Sequence, residues 1–397
     1  MKTLKRYEHT IYASYLGYIT QAIVNNFTPL LFLTMSRQYQ LTLDKITWIT
    51  TINFAVQLLV DLISAKFIDK IGYRVSVVAA HIFAATGLVG MAFLPDLLPD
   101  AYIGILACVV LYAIGGGIIE VLISPIVEAC PTEKKEAVMS LLHSFYCWGH
   151  VAVVLGSTLF FQVCGIQNWK LLACLWAILP LLNAVYFGIV PIYPIAGGHA
   201  DMSVKGLFGQ KVFWILLVLM IGAGASEQGM SQWASTFAES ALGVSKVIGD
   251  LAGPCAFAIF MGTARALYGK YSEQIPLKKM MVGSAILCIF CYLTAALSNS
   301  PIIGLIGCAV CGFSVGIFWP GTFSLAAIKL PTAGTAMYAF MALAGDVGCS
   351  LGPTVVGLAA NILQDDLKSG LLAALVFPIM ILLGIALLKD RKIKKAN

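Results

Sequence analysis

The chain has 397 residues, 59% of them hydrophobic and only 11% charged, against about 25% charged in an ordinary soluble domain. That excludes a water-soluble globule. At about 20 to 25 residues per membrane helix plus short loops, the length accommodates roughly twelve spans and no separate soluble domain. The net charge of +6 is small and dispersed, which gives no case for nucleic-acid binding.

The opening residues MKTLKRYEHTIY run straight into an apolar segment without a small-residue cleavage site, so the first helix is expected to be retained. Breaks of charge, Pro and Gly predict helices near 10–35, 46–66, 75–94, 102–127, 137–163, 169–192, 211–236, 246–268, 279–298, 302–328, 334–360 and 370–388. The expected architecture is an all-α integral membrane protein with two six-helix halves, 1–193 and 211–397. A polar linker at 194–210 joins them. Five of the 25 Lys and Arg residues (Arg37, Lys45, Lys170, Lys246 and Lys368) fall on one side of this topology and the other 20 on the opposite side. By the positive-inside rule, both termini are expected in the cytoplasm of a multi-pass protein of the cell (inner) membrane.

Predicted helix one carries Gln21, Asn25 and Thr28 on one face, beside Asn26 and Pro29. Helix two repeats the pattern with Asn53, Gln57 and Asp61 at i, i+4 and i+8. Inside a bilayer such stripes must face protein or a wet cavity. After helix two comes Ala65-Lys66-Phe67-Ile68-Asp69-Lys70-Ile71-Gly72-Tyr73-Arg74. Here Gly72 permits a tight turn, and Asp69 at a helix end can pair with groups of the other half.

This segment resembles the G-x-x-x-D-R/K-x-G-x-R/K loop of the major facilitator superfamily, in the place between helices two and three where that family has it. Ala65 stands where the first Gly would. The resemblance implies a major facilitator fold with two pseudo-symmetric halves, alternating access, and a cytoplasmic gate at Asp69, Lys70, Gly72 and Arg74. In the second half FMGTARALYGKY occupies the equivalent place. It keeps Arg265 and Lys270 but has Gly269 for the acid, so Arg265 is expected at the gate too.

Further along, GGGIIEVLISPIVEA in helix four echoes CGFSVGIFWPGTFSLA in helix ten, as expected of duplicated halves that build a midplane site. A charged group at a helix centre costs about 2.5 to 3.5 kcal/mol on insertion scales, which makes Asp61, Glu120, Glu227 and Asp346 functional candidates. At 1.5 Å per residue, Asp346 falls at the midplane and Glu227 slightly outward, with Asp61 and Glu120 about 7 Å toward the cytoplasm. Glu120, on a Gly-rich helix that the opposite half can approach, is the first candidate to carry a coupled proton, and Asp346 the second. Helix five aligns His143, Tyr146 and His150, and helix seven aligns Glu227 with Ser231. The solute is expected on Asn25, His143, Tyr146, Glu227 and Asp346. Trp148 and Trp319, too deep for the headgroup boundary, are expected to stack on a sugar ring. Trp233, nearer the outer end, reads as structural.

Two segments are similar to the fucose and glucose/mannose permease branch: Leu142-His143-Ser144-Phe145-Tyr146-Cys147-Trp148-Gly149, and Gly222…Glu227…Trp233 followed by Gly262…Arg265. That similarity implies sugar contacts at His143 and Tyr146 and an acid at Glu227. Two departures stand beside it. The spacing from Gly222 to Glu227 is longer than the branch pattern, and helix one has Asn25 and Asn26 where fucose permeases carry an acid.

No HExxH or Walker loop occurs, and the eleven cysteines lie almost all in apolar runs as small packing residues. No enzyme, cofactor or metal is expected. The expected function is secondary active transport, by proton-coupled symport of a small polar solute such as a sugar, in a monomer embedded in the lipid bilayer. Coupling to Na+ and drug/proton antiport are the alternatives. A non-transporting membrane sensor is disfavoured because neither linker nor tail leaves room for an output domain.

Overall fold

The computed structural model describes residues 6–132, 135–193, 202–271, 275–331, 333–364 and 366–388. Among these residues all regular structure is helical. We number twelve helices. In the first half, α1 consists of Tyr7–Asn26, a 3-10 turn Thr28–Leu31 and Phe32–Tyr39. It is followed by α2 (Leu43–Ile71), α3 (Tyr73–Leu97), α4 (Ala101–Glu128), α5 (Lys135–Cys164) and α6 (Trp169–Ile189). In the second half, α7 consists of Lys211–Ser231 and Ala234–Ser240, and α8 of Lys246–Asp250, a π-turn Leu251–Cys255 and Ala256–Tyr271. Then come α9 (Leu277–Leu297), α10 (Pro301–Val315 and Phe318–Lys329), α11 (Gly334–Ile362) and α12 (Leu367–Ala373 and Val376–Leu387).

Among the described residues, eleven helices are long and apolar enough to cross a membrane. The exception is α1, whose polar side chains make sense because most of it is buried, against α4, α5 and the other half. The predicted linker contains a helix, Val204–Phe208, anchored by buried Leu207 and by Phe208 packed edge-on to Phe340. Residues 194–201 of that linker, with His199 and Asp201, lie outside the described residues.

Helices buried in lipid gain little from hydrophobicity against one another and associate through close backbone packing at small residues. In the first half a Cβ on Gly87 of α3 would lie 2.5 Å from Tyr112 N of α4. In the second, Gly348 of α11 sits against Ile221 O of α7 with no room for a side chain. These contacts lock α3 on α4 and α7 on α11.

The halves meet along α2 and α11 and along α5 and α8. At the end of the bundle away from Arg6 and Leu388 they are joined by hydrogen bonds. Thr51 and Thr354 hydroxyls lie 2.5 Å apart, Lys246 Nζ donates to Leu30 O at 2.6 Å, and Thr158 Oγ1 donates to Asp250 Oδ2 at 3.4 Å.

Candidate functional site

A cavity of about 120 Å³ lies between the halves. Tyr18, Gln21 and Asn25 of α1 line it at i, i+3 and i+7, as one face of a helix must. Phe54 and Gln57 of α2, Glu120 of α4, and His143 and Tyr146 of α5 complete the first half's wall. The second half contributes Glu227 and Gln228 of α7, Arg265 of α8, Trp319 of α10, and Asp346 and Cys349 of α11.

The first half's wall is held by its own polar groups. Asn25 Oδ1 accepts from Gln57 Nε2 at 2.8 Å and from Asn53 Nδ2 at 3.2 Å, and Gln21 Nε2 donates to Glu120 Oε2 at 2.5 Å. Pro29 has no N–H to offer the Asn25 carbonyl four residues back. That oxygen instead accepts from Gln232 Nε2 of α7 at 3.0 Å. Gln232 also donates to Gln228 Oε1 at 3.0 Å, and Gln228 Nε2 donates to Glu227 Oε1 at 3.2 Å. A proline break in α1 thereby becomes a hydrogen-bonded path into the other half.

In the second half Arg265 Nη2 lies 3.4 Å from Glu227 Oε2 and Nη1 lies 3.3 Å from Cys147 Sγ. Asp61 of α2 and Asp346 of α11 come within hydrogen-bonding reach across the halves, and Asp61 Oδ1 is buried with no donor. Trp319 fits because position 345 is glycine: a Cβ there would collide with the indole ring. Three carboxyls and one guanidinium face the cavity, and among the described residues no group of three or more His, Cys, Asp or Glu is arranged to hold a metal.

The structure brings Asn25, Glu120, His143, Tyr146, Glu227, Trp319 and Asp346 into one cavity. Trp148 is elsewhere, 53% exposed and absent from the cavity wall. Arg265, expected at the gate, lines the cavity, about 9 Å inside the end of α8 at Tyr271. Asp61, expected about 7 Å from the level of Asp346, reaches it.

The motif after helix two is mostly helix. α2 continues to Ile71, and Gly72 alone (φ +92°) separates it from α3, a conformation that favours glycine. Lys70 is exposed, and the side chain of Asp69 lies outside the described residues. Arg74 donates from Nη1 to Phe187 O at 2.8 Å and to Gly188 O at 2.9 Å, so it caps α6 within its own half instead of reaching the other.

The site residues that sequence reasoning did not single out are Tyr18, Phe54, Gln228 and Cys349. Gln228 and Gln232 form an i, i+4 polar pair on α7 that the sequence does display.

The Major Facilitator Superfamily profile matches residues 14–353. No curated protein matches the sequence. Among solved structures, the nucleoside transporter NupG is 13% identical with a TM-score of 0.74, covering 96% of this chain and 100% of its own. The D-xylose-proton symporter is 14% identical with a TM-score of 0.75, covering 95% and 96%. The E. coli fucose:proton symporter FucP is 13% identical with a TM-score of 0.66, covering 96% and 98%. At these identities the likeness is one of fold.

Proposed function

This chain belongs to the Major Facilitator Superfamily, and from that premise we propose that it carries a small polar solute such as a sugar, together with protons, by alternating access. The observation that carries this reading is the convergence of Glu120, Glu227 and Asp346 with Gln21, Asn25, Gln57 and Gln228 on one cavity between the halves. Carboxamides and a half-buried indole suit a neutral polar ring. Carboxyls that meet water alternately from two sides can load and release protons. Structural neighbours that are fucose:proton and D-xylose-proton symporters support the same direction.

In this reading Glu120 carries the coupled proton. Asp346 is the second candidate, since it and Asp61 can hold a proton between them. Asn25, His143, Tyr146, Glu227, Trp319 and Asp346 contact the solute. The termini are cytoplasmic on the positive-inside count, which stands at 19 against 5 once Arg265 is assigned to the cavity. The end closed by Lys246 and Thr354 is then the outer one.

The test is uptake into proteoliposomes from a panel of labelled sugars and nucleosides, with and without a pH gradient that is acid outside. Gradient-driven accumulation of one of them supports the reading; equal uptake in both conditions points to uniport. A second reading, exchange of an organic cation for protons, is favoured by one observation: the cavity has three carboxyls against a single guanidinium. Efflux of an organic cation driven by inward protons would establish it.

A further inference from the structure

Arg265 is the one cationic Lys or Arg side chain among the described residues that line the cavity, and its donors are poorly used. Nη1 faces Cys147 Sγ at 3.3 Å, and Nη2 faces Glu227 Oε2 at 3.4 Å and Met261 Sδ at 3.8 Å. Nε is buried without a partner. A guanidinium presents five N–H donors in a rigid fork. Here the fork meets two sulfurs, which are weak acceptors, and one carboxylate oxygen near the far limit of hydrogen-bond distance. The side chain is 20% exposed, and an under-bonded cation in so partly desolvated a place is costly, a cost that a ligand supplying oxygen atoms relieves. Beside it, Glu227 accepts from Gln228 at 3.2 Å through Oε1 and has only the long arginine contact at Oε2. A donor fork and an acceptor edge therefore stand side by side on the cavity wall.

We infer that Arg265 and Glu227 together form a clamp for a vicinal diol, so that the transported solute is a neutral polyhydroxylated ring. This rests on the polar-solute reading above. Each hydroxyl both accepts and donates, so two adjacent hydroxyls take N–H bonds from the guanidinium and give O–H bonds to the carboxylate. An anionic ligand would satisfy Arg265 but add negative charge beside Glu120, Glu227 and Asp346. A cation would answer the acids but leave the guanidinium fork empty and be repelled by it. A neutral diol satisfies both partners, and Trp319 in the same cavity offers a flat apolar face for the ring carbons.

The experiment measures equilibrium binding to the purified protein of three matched sets: uridine with 2′,3′-dideoxyuridine, and glucose and fucose each with its 2-deoxy and 3-deoxy analogues, one of which breaks any vicinal diol of the ring. Tetraphenylphosphonium serves as the cationic control. At least one diol is expected to bind, with at least one of its deoxy analogues about tenfold to a hundredfold weaker, the effect of losing hydrogen bonds to charged groups. Arg265→Lys, which keeps the charge but loses the fork, is expected to weaken the diol by a similar factor and bring it together with the analogue that bound more weakly. Equal binding of a parent and all of its deoxy analogues by the wild-type protein overturns the clamp while leaving the polar-solute reading intact, and so does a ratio that Arg265→Lys preserves. Failure of every hydroxylated probe to bind the wild-type protein, whether or not tetraphenylphosphonium binds, overturns that reading and the clamp with it. If Arg265→Lys does not fold, the wild-type sets alone decide.

Discussion

Lys246 Nζ, at the start of α8, donates to the carbonyl oxygen of Leu30 in the broken part of α1, 2.6 Å away. The same ammonium lies 3.1 Å from Asp250 and 3.3 Å from Glu239. Asp250 is fully buried and also accepts from Ser235 Oγ at 2.5 Å and from Thr158 of the first half. One cation thus neutralises a buried acid of its own half while satisfying the backbone of the other.

Lys246→Met leaves Asp250 buried without its counter-ion. Removing one partner of a buried pair costs about 3 to 5 kcal/mol, and the lower end applies because the lysine side chain is 19% exposed. The melting temperature in detergent is expected to fall, and the double variant Lys246→Met/Asp250→Asn to recover much of the loss. A double variant no more stable than the single one would show that Asp250 is not the acid the lysine serves.

Glu120→Gln keeps an oxygen for the Gln21 amide, which donates to Glu120 at 2.5 Å, but cannot exchange a proton. It is expected to retain solute binding and solute-for-solute exchange while losing accumulation driven by a pH gradient. If the variant still concentrates solute, the proton travels elsewhere, and Asp346→Asn with Asp61→Asn is the next pair to assay.

Gly345→Ala drives a methyl group into the Trp319 ring. The indole is half-buried at the cavity edge, so it is expected to swing into the solute space and weaken binding by about tenfold, for a cost of about 1.4 kcal/mol. Trp319→Leu in the Gly345→Ala background should remove the clash. Normal affinity in the single variant would mean that the ring is not part of the solute's contact surface.

Arg74→Ala removes two charge-assisted bonds to the carbonyl oxygens of Phe187 and Gly188. The half-exposed setting limits the loss to about 1 to 2 kcal/mol of stability, seen as a lower melting temperature, with turnover per folded molecule unchanged. Reduced turnover at unchanged stability would instead return Arg74 to the gate.

Asp366 caps α12 through bonds from the Lys368 and Ser369 amides, both 3.1 Å, and from Ser369 Oγ at 2.6 Å. Partial burial works against its charge. The Ser369 hydroxyl and the two amides outweigh that and hold the carboxyl below its ordinary range. With a lowered folded value, the cap's contribution is present above the unfolded carboxyl's pKa and is lost as pH falls through the folded one. Asp366→Ala should cost about 1 kcal/mol at neutral pH and nothing in strong acid. A cost independent of pH would assign the effect to packing.

The number of spans and the site's first-half wall were legible because both are local. Span length follows from apolar runs, and the stripes Gln21/Asn25 and Asn53/Gln57 follow from a 3.6-residue turn. The same geometry, applied more strictly, separates Trp148 from Tyr146, since residues two apart do not share a helix face. What the tertiary structure alone decided depends on where helices end and how they cross. The packing of α8 against α5 sets Arg265, expected at the gate, on the cavity wall. The antiparallel packing of α2 on α11 brings Asp61 to Asp346. The break at Pro29 exposes carbonyl oxygens that Gln232 and Lys246, more than two hundred residues away, come to satisfy. Sequence periodicity sets which residues share a face of one helix, but a partner on another helix is fixed only when close packing at Gly224 and Gly348 sets the distance and rotation between them.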